Sequence, residues 1–449
     1  PMATHDLTQG GVGSQLTRMT IPYFLGVSSM ILASMIETIY IGVLGAKELA
    51  AYSFMFPVIM ALTSVSMGVG IGASSVIARA EGQGERERVR RYVTHTGILT
   101  VLITVALSGS VYFFLEDLYA MMGAKDEVLQ LVVAFAEVWV LGLMTFTIPM
   151  VTSTVLRAVG IAKEPGYIMT LTSAMQLVLS PIIIFGLFGL PAQGLVGSAY
   201  AFILIGFVRI AAFIYLLHRE RIVAVDDIFA GFVKSAREIL HIALPSMLSS
   251  LIGPLSMGIT IALLANHGEF IVAALGIVNR IEMLVTMILG ALSSSVAPFV
   301  GQNWGAGHYD RIHRGLKLSY GFCLGWGVLC FVALAPGGDF LVSFINDEPA
   351  LLEAAAWVLL IVPVSFGLMG VGQIASSLFV ALGKPIPPTL LSVLRTIVIY
   401  IPMAILFDQW WGYVGVFIAI SVANLLFGVV AYLWSRRMLL HEVDRVLRV

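Results

Sequence analysis

Charge is scarce in this sequence. Of 449 residues only 11% are Asp, Glu, Lys or Arg, while 59% are hydrophobic. Soluble domains carry about 25% charged residues, so the polar coat that would keep a chain of this length in water is missing. Cysteine is nearly absent too. Cys323 and Cys330 stand two helical turns apart in one apolar run, which suits packing and excludes a disulfide framework. No G-x-x-x-x-G-K-[ST] sequence occurs, so ATP binding through a P-loop is excluded. The eight histidines are scattered, and His308 and His313 share a basic loop without further ligands; no metal centre is expected. No Ser-His-Asp set or carboxylate pair can be assembled, which argues against an enzyme. With 25 basic and 26 acidic residues the net charge is −1, and nothing in it points to a nucleic-acid partner.

What is present is apolar length. Mean hydropathy is +0.97, and about 20 apolar residues cross a bilayer as a helix. Twelve such runs lie near 17–42, 50–78, 92–115, 128–156, 165–189, 194–218, 240–265, 271–299, 316–336, 351–381, 386–407 and 412–435. The expected class is an all-α membrane protein with a lipid bilayer as its solvent. Arg79, Arg86, Arg88, Arg90 and Arg91, then Arg311, Arg314 and Lys317, and the tail residues Arg436, Arg437, Arg445 and Arg448 share one side. The other side has Lys47 and Lys125 beside Glu116, Asp117 and Asp126. By the positive-inside rule both termini are cytoplasmic, as expected in a plasma (bacterial inner) membrane.

The chain is also a duplication. At an offset of 223, Pro22 meets Pro245, Gly84 meets Gly307, Arg91 meets Arg314, Gly160 meets Gly383 and Pro165 meets Pro388. Near the end the offset slips to 218, where Gly194 and Gly197 meet Gly412 and Gly415. Each unit holds six spans, an even number, so both insert the same way, as two lobes related by a pseudo-twofold axis along the membrane normal. The reading is a tail at 1–16, an N-lobe at 17–218, a linker at 219–239, a C-lobe at 240–435 and a tail at 436–449. The linker mixes charge with Ile222, Val225, Ile228, Phe229 and Phe232, the composition of an amphipathic helix on the membrane surface.

Ionisable groups inside hydrocarbon are costly, and each needs a reason. They are Glu37, Glu137, Arg209, Arg280, Glu282 and Arg395. Glu37 is the only charge in its span from Ser28 to Val43. Arg280 and Glu282 are two apart on a helix and do not face each other, so with Glu137 and Arg395 they are candidates for a central cavity. Arg209 is close enough to a helix end to snorkel. Prolines such as Pro22, Pro57, Pro149, Pro181 and Pro245 interrupt spans, each removing a backbone hydrogen bond.

Ahead of the second basic loop stands Gly301-Gln302-Asn303-Trp304-Gly305-Ala306-Gly307. It resembles the G-Q-N-x-G-A-G element of the multidrug and toxic compound extrusion (MATE) family, with Glu81-Gly82-Gln83-Gly84 a weaker counterpart and Arg280-Ile-Glu282 similar to prokaryotic members. The resemblance runs over essentially the whole chain. It implies secondary antiport, in which organic, often cationic, compounds leave by alternating access of two lobes, driven by inward H⁺ or Na⁺. It also implies a first-span acid fifteen residues after a proline, matched by Pro22 and Glu37-Thr38, with Glu in place of the usual Asp. In sodium-binding members the fifth span offers Asn and Asp before a proline. Here those positions are Gln176 and Ser180 before Pro181, and a sixth-span Thr corresponds to Ser198. The second carboxylate is lost, so H⁺ is the expected coupling ion and Na⁺ the alternative; no other cofactor is expected. The expected partners are small organic substrates, the protein acting as a monomer. A flippase for a lipid-linked precursor, on related architecture, is the competing reading, kept open by the intramembrane arginines.

Overall fold

The computed structural model describes residues 6–345 and 347–448, with Asp339 as backbone only; residues 1–5 and 449 of the two expected tails lie outside it. Its helices are α1 (Val12–Leu44), α2 (Ala46–Gly82), α3 (Arg86–Tyr112), α4 (Leu115–Met121), α5 (Asp126–Leu141), α6 (Met144–Ala158), α7 (Lys163–Phe185) and α8 (Leu195–Arg219) in the first half. The second half has α9 (Phe232–Ala265), α10 (Glu269–Gly305), α11 (Tyr309–Leu334), α12 (Gly338–Ser343), α13 (Pro349–Ile361), α14 (Phe366–Ala381), α15 (Ile386–Val393), α16 (Ile401–Trp411) and α17 (Tyr413–Leu447). A 3₁₀ turn (Val362–Ser365) joins α13 to α14, and a π-helical turn (Leu394–Tyr400) joins α15 to α16. No strand occurs among the described residues. Eleven helices are long and apolar enough to cross a membrane, or twelve when α5 and α6, bent by 49° at their junction, count as one. This is a multi-pass membrane protein.

The duplication is written into the backbone. Helix starts at 46, 86, 115, 126 and 163 recur 223 residues later at 269, 309, 338, 349 and 386, and α8 recurs as α17 at an offset of 218. The slip has a plain origin: nine residues (186–194) join the 23-residue α7 to α8, whereas Gly412 alone joins the 26-residue run Ile386–Trp411, made of α15, the π turn and α16, to α17. The caps repeat as well. Gly84 and Gly307 both hold φ +74°, the left-handed value that ends a helix and that a Cβ disfavours. The N–H groups of Glu85 and His308 return to the carbonyls of Ala80 and Asn303 at 3.1 and 2.8 Å.

Two compact units emerge. One holds Ile21–Ala243, the other Leu7–Thr20 with Leu244–Val449. Their borders do not fall between helices: the first cuts α1 one residue before Pro22, the second cuts α9 one residue before Pro245. Each lobe thus borrows the opening turns of the helix that belongs mainly to the other. In the N-lobe the borrowed turns of α9 lie on Gly72 of α2, where a Cβ would stand 2.5 Å from the Ile239 carbonyl oxygen. The N-lobe core gathers Ile41, Met55, Tyr119, Phe135, Trp139 and Leu143. The C-lobe core gathers Leu275, Val278, Leu359, Phe366, Tyr400 and Phe417. Exposed Leu25, Leu32 and Ile39 recur every seventh residue along α1, the outward stripe a membrane solvates.

The linker differs from expectation. Residues 220–231 form turns and bends, and a helix begins only at Phe232. The amphipathic helix read into 219–239 is formed only from Phe232 onward, as the start of α9; over 220–231 it is absent, because α3 takes backbone groups that a helix would have used internally. Arg86 and Arg90 donate to the carbonyls of Glu220 and Val223, each at 3.1 Å. Ala224 N–H reaches Thr94 Oγ1, and His95 Nε2 meets the Ile228 carbonyl. Arg219 pairs with Glu164 and Glu220. Both cysteines are buried and free.

Candidate functional site: a buried carboxylate in the N-lobe

Along α1 the small or apolar residues Ala33 and Ile41 flank Glu37 at four-residue spacing, and all three are buried. That periodicity turns the carboxylate inward, opposite the exposed stripe. On α7, Thr172, Gln176 and Ser180 follow at the same spacing and are likewise buried. On α8, Ser198 occupies the facing turn. Ser180 Oγ donates to Glu37 Oε1 at 2.8 Å, and Ser198 Oγ donates to the same oxygen. Gln176 Nε2 donates to Ser180 at 3.1 Å, completing a relay from amide to hydroxyl to carboxylate. Glu37 Oε2 and Gln176 Oε1 have no hydrogen-bond partner among the described residues. Tyr52 of α2 lies within electrostatic reach of the carboxylate. One oxygen is therefore held by two hydroxyls while the other is left to exchange a proton or meet a cation. A buried charge with incomplete pairing is costly, and such a group is retained for a purpose more often than for stability.

The four residues Glu37, Gln176, Ser180 and Ser198, assembled from three spans, come together. Pro22 lies fifteen residues before Glu37, where α7 presses closely: a Cβ on Gly166 would stand 2.5 Å from the Pro22 carbonyl oxygen. Beside it, Arg157 of α6 is buried, its guanidinium 3.8 Å from the centre of the Tyr23 ring and bonded to Thr154. Sequence reasoning missed Arg157, which ends an apolar run and reads as a loop residue. It also missed Thr172, although the i, i+4, i+8 spacing with Gln176 and Ser180 was there to be found. Arg209 is corrected: it does not snorkel but is 6% exposed, with Nε 3.1 Å from Thr172 Oγ1. Thr172, one turn from Gln176, offers it an acceptor inside the lobe.

The C-lobe repeats the frame without the chemistry. At offset 223, Glu37 becomes Thr260, whose hydroxyl bonds Tyr400, so no carboxylate stands there. Arg395 lies in the π-helical turn, 5.1 Å from the Phe427 ring centre, the kind of helix irregularity that often marks a functional position. Arg280 and Glu137 are exposed in their own lobes, and Glu282 is half-buried. None of these four forms an ion pair among the described residues.

The G-Q-N motif has a structural task. Gln302 and Asn303 are fully buried at the end of α10. Gln302 Oε1 accepts from Leu7 N–H, Asn303 Nδ2 donates to the Leu7 carbonyl, each at 3.1 Å, and Arg311 reaches the carbonyls of Leu7, Gln9 and Gly10. Gly301 is buried beside them; α10 ends at Gly305 and Gly307 turns the chain away. The motif thus straps the segment before α1 to the C-lobe. Asn303→Leu removes donors to Leu7 and to the Phe299 carbonyl. The Arg311 Nε–H also loses its Asn303 Oδ1 acceptor, and each hydrogen bond lost costs about 0.5–1.5 kcal/mol. Faster protease cleavage within residues 7–18 is the expected outcome, read by limited proteolysis against wild type; unchanged cleavage would deny the strap.

Comparison with known proteins agrees with this architecture. The MatE family profile matches residues 22–182 and 245–406, one copy per lobe. The chain is 31% identical to the FAD transporter of Shewanella oneidensis, over 96% of both chains. It is 25% identical to the probable multidrug resistance protein YoeA of Bacillus subtilis, over 97% of both. Among solved structures, the Vibrio cholerae MATE transporter VcmN in its bent form superposes with a TM-score of 0.91 at 28% identity, covering 96% of this chain and 98% of that one. A MOP superfamily transporter from Pyrococcus furiosus, whose binding pocket is described as having reverse polarity suggesting a different function, gives 0.86 at 27% identity, over 97% and 98%. With the profile matched in both halves and full-length relatives on either side, the chain belongs to the MATE family of multidrug and toxic compound extrusion transporters.

Proposed function

We propose that this transporter exports small organic compounds, cationic ones among them, in exchange for protons, by alternating access of its two lobes. It acts as a monomer in the plasma (inner) membrane with both termini in the cytoplasm. It makes and breaks no covalent bond in its substrate. The observation that carries the reading is that, among the described residues, Glu37 is the only acidic one that is buried, with one oxygen bound by two hydroxyls and the other without a hydrogen-bond partner there. A sodium ion needs several hard oxygen ligands to replace its water, and a second carboxylate helps; Gln176, Ser180 and Ser198 supply only neutral oxygens. A proton needs one carboxyl that is wetted and shielded in turn. The multidrug names of several relatives support organic substrates.

Counterflow in proteoliposomes decides the ion. Transport should follow an imposed pH gradient. A sodium gradient at clamped, symmetric pH that drives it, with no response to the proton gradient, would make sodium the coupling ion. A second substrate reading also has support: Arg280 and Arg395 form no ion pair among the described residues, and one full-length relative is named an FAD transporter. If loaded vesicles release a flavin dinucleotide but not a cationic dye, the substrate is anionic and those arginines are its contacts.

A further inference from the structure

We propose that Arg209 determines which cation couples: its buried positive charge keeps Na⁺ from the Glu37 site and leaves the proton as the exchangeable ion. The inference rests on Glu37 being the coupling carboxylate. The geometry places the two on one polar ladder. Thr172, Gln176 and Ser180 share a buried stripe of α7, with Arg209 bound to the first and Glu37 to the last. On α8, Ser198 and Arg209 are eleven residues apart, three turns, so they lie on one stripe facing α7. From Thr172 to Ser180 the rise is roughly 12 Å at 1.5 Å per residue. Gln176 stands between, its Oε1 buried and unpartnered among the described residues.

Arg209 forms no ion pair among the described residues, and its one hydrogen bond to a side chain goes to a neutral hydroxyl. Its charge is consequently balanced within this ladder by Glu37 alone. The other groups at the carboxylate, Tyr52 on α2, Gln176 and Ser180 on α7 and Ser198 on α8, are neutral partners. An ionised Glu37 with Arg209 is a neutral set, so an incoming Na⁺ would be a buried, uncompensated charge. A proton meets the same opposing field but forms a covalent O–H bond, which a field at that range only re-tunes. The field weakens both ions by the same roughly tenfold factor; the O–H bond still forms, whereas sodium, held here by one carboxylate and neutral oxygens, loses occupancy it cannot spare. Pseudo-symmetry sharpens the contrast. At the equivalent helix contact of the C-lobe, Arg395 takes the place of Thr172 and Phe427 that of Arg209. Thr260 stands where Glu37 would, so an arginine is present without an acid to bias.

The test uses the full-length protein and two variants that remove the net charge differently. Arg209→Gln deletes it. Thr172→Glu leaves the guanidinium in place and neutralises it with a carboxylate. Each should acquire sodium-driven counterflow at clamped pH, with an apparent Na⁺ affinity about tenfold higher than wild type, the size of a unit-charge interaction at that distance under an effective dielectric of about 20. Arg209→Lys, which keeps the charge, should stay sodium-insensitive. Na⁺-dependent thermal stabilisation of each purified protein is measured alongside, because it needs no turnover. If neither neutralised variant is driven or stabilised by Na⁺, Arg209 does not select the ion. If wild type is itself sodium-driven, the proton reading fails and the selective role of Arg209 fails with it; if a Glu37→Gln chain still exports, the coupling role of Glu37 fails on its own.

Discussion

Glu37→Gln should reduce efflux to the level of membranes without the transporter, while the protein still inserts, folds and binds substrate. Gln is nearly isosteric, so Ser180 and Ser198 keep an oxygen to donate to. What is lost is the ability to gain and release a charge. An exchanger that cannot change the charge at its coupling site has no way to spend an ion gradient on its cargo. Glu37→Asp gives an intermediate result: one methylene less withdraws the carboxylate by about 1.5 Å, enough to break bonds of 2.8 Å or less to Ser180 and Ser198. Dye efflux from cells with matched expression, beside a substrate-binding assay on purified protein, separates the two variants. Full efflux by Glu37→Gln would remove the carboxylate from the mechanism.

The second large effect is expected at Gly166. Its hydrogen faces α1, and any Cβ there would stand 2.5 Å from the Pro22 carbonyl oxygen and 2.8 Å from the Pro22 Cβ. Backbone cannot yield as a side-chain tip does. Gly166→Val should therefore push α1 from α7, at an overpacking cost of typically 1–3 kcal/mol. Because α1 carries Glu37 and α7 carries Ser180, the same wedge spreads the site. Lower thermal stability together with lost transport is the expected pair of results. Normal stability with normal transport would mean that α1 and α7 separate freely here. The position matters because Pro22 supplies no N–H to the carbonyl of Arg18, which weakens the helix at that turn.

Much of this was legible in the chain. Twelve apolar runs and one fixed offset define two six-span units in the sequence, and the helix starts recur at that same offset. Glu37 was legible because a lone charge in a long apolar span is conspicuous, and Gln176, Ser180 and Ser198 came from the family pattern. Arg209 was misread because its sequence neighbours are apolar and a helix end is near. Its acceptor, Thr172, is 37 residues away, and no local pattern shows that the two meet. The linker failed for the same reason. Its composition favours an amphipathic helix, but its partners Arg86, Arg90, Thr94 and His95 lie about 130 residues earlier. The strap at Leu7 spans still further, 295 residues to Gln302. Local patterning specifies a span; it is silent on which distant side chain takes a backbone group.

The exchange of opening turns between the lobes also has a consequence for how the molecule is made. Leu7–Thr20 leave the ribosome long before the rest of the unit they complete, which contains Gln302, Asn303 and Arg311. Their binding site does not exist until some 300 residues later. Until then residues 7–20 must wait, their backbone groups satisfied by water or headgroups, while an entire six-helix bundle inserts behind them. The C-lobe is likewise unfinished when produced from Leu244 onward, since it lacks the segment that its own G-Q-N motif holds. The C-lobe thus closes on a segment that is made before the whole of the N-lobe.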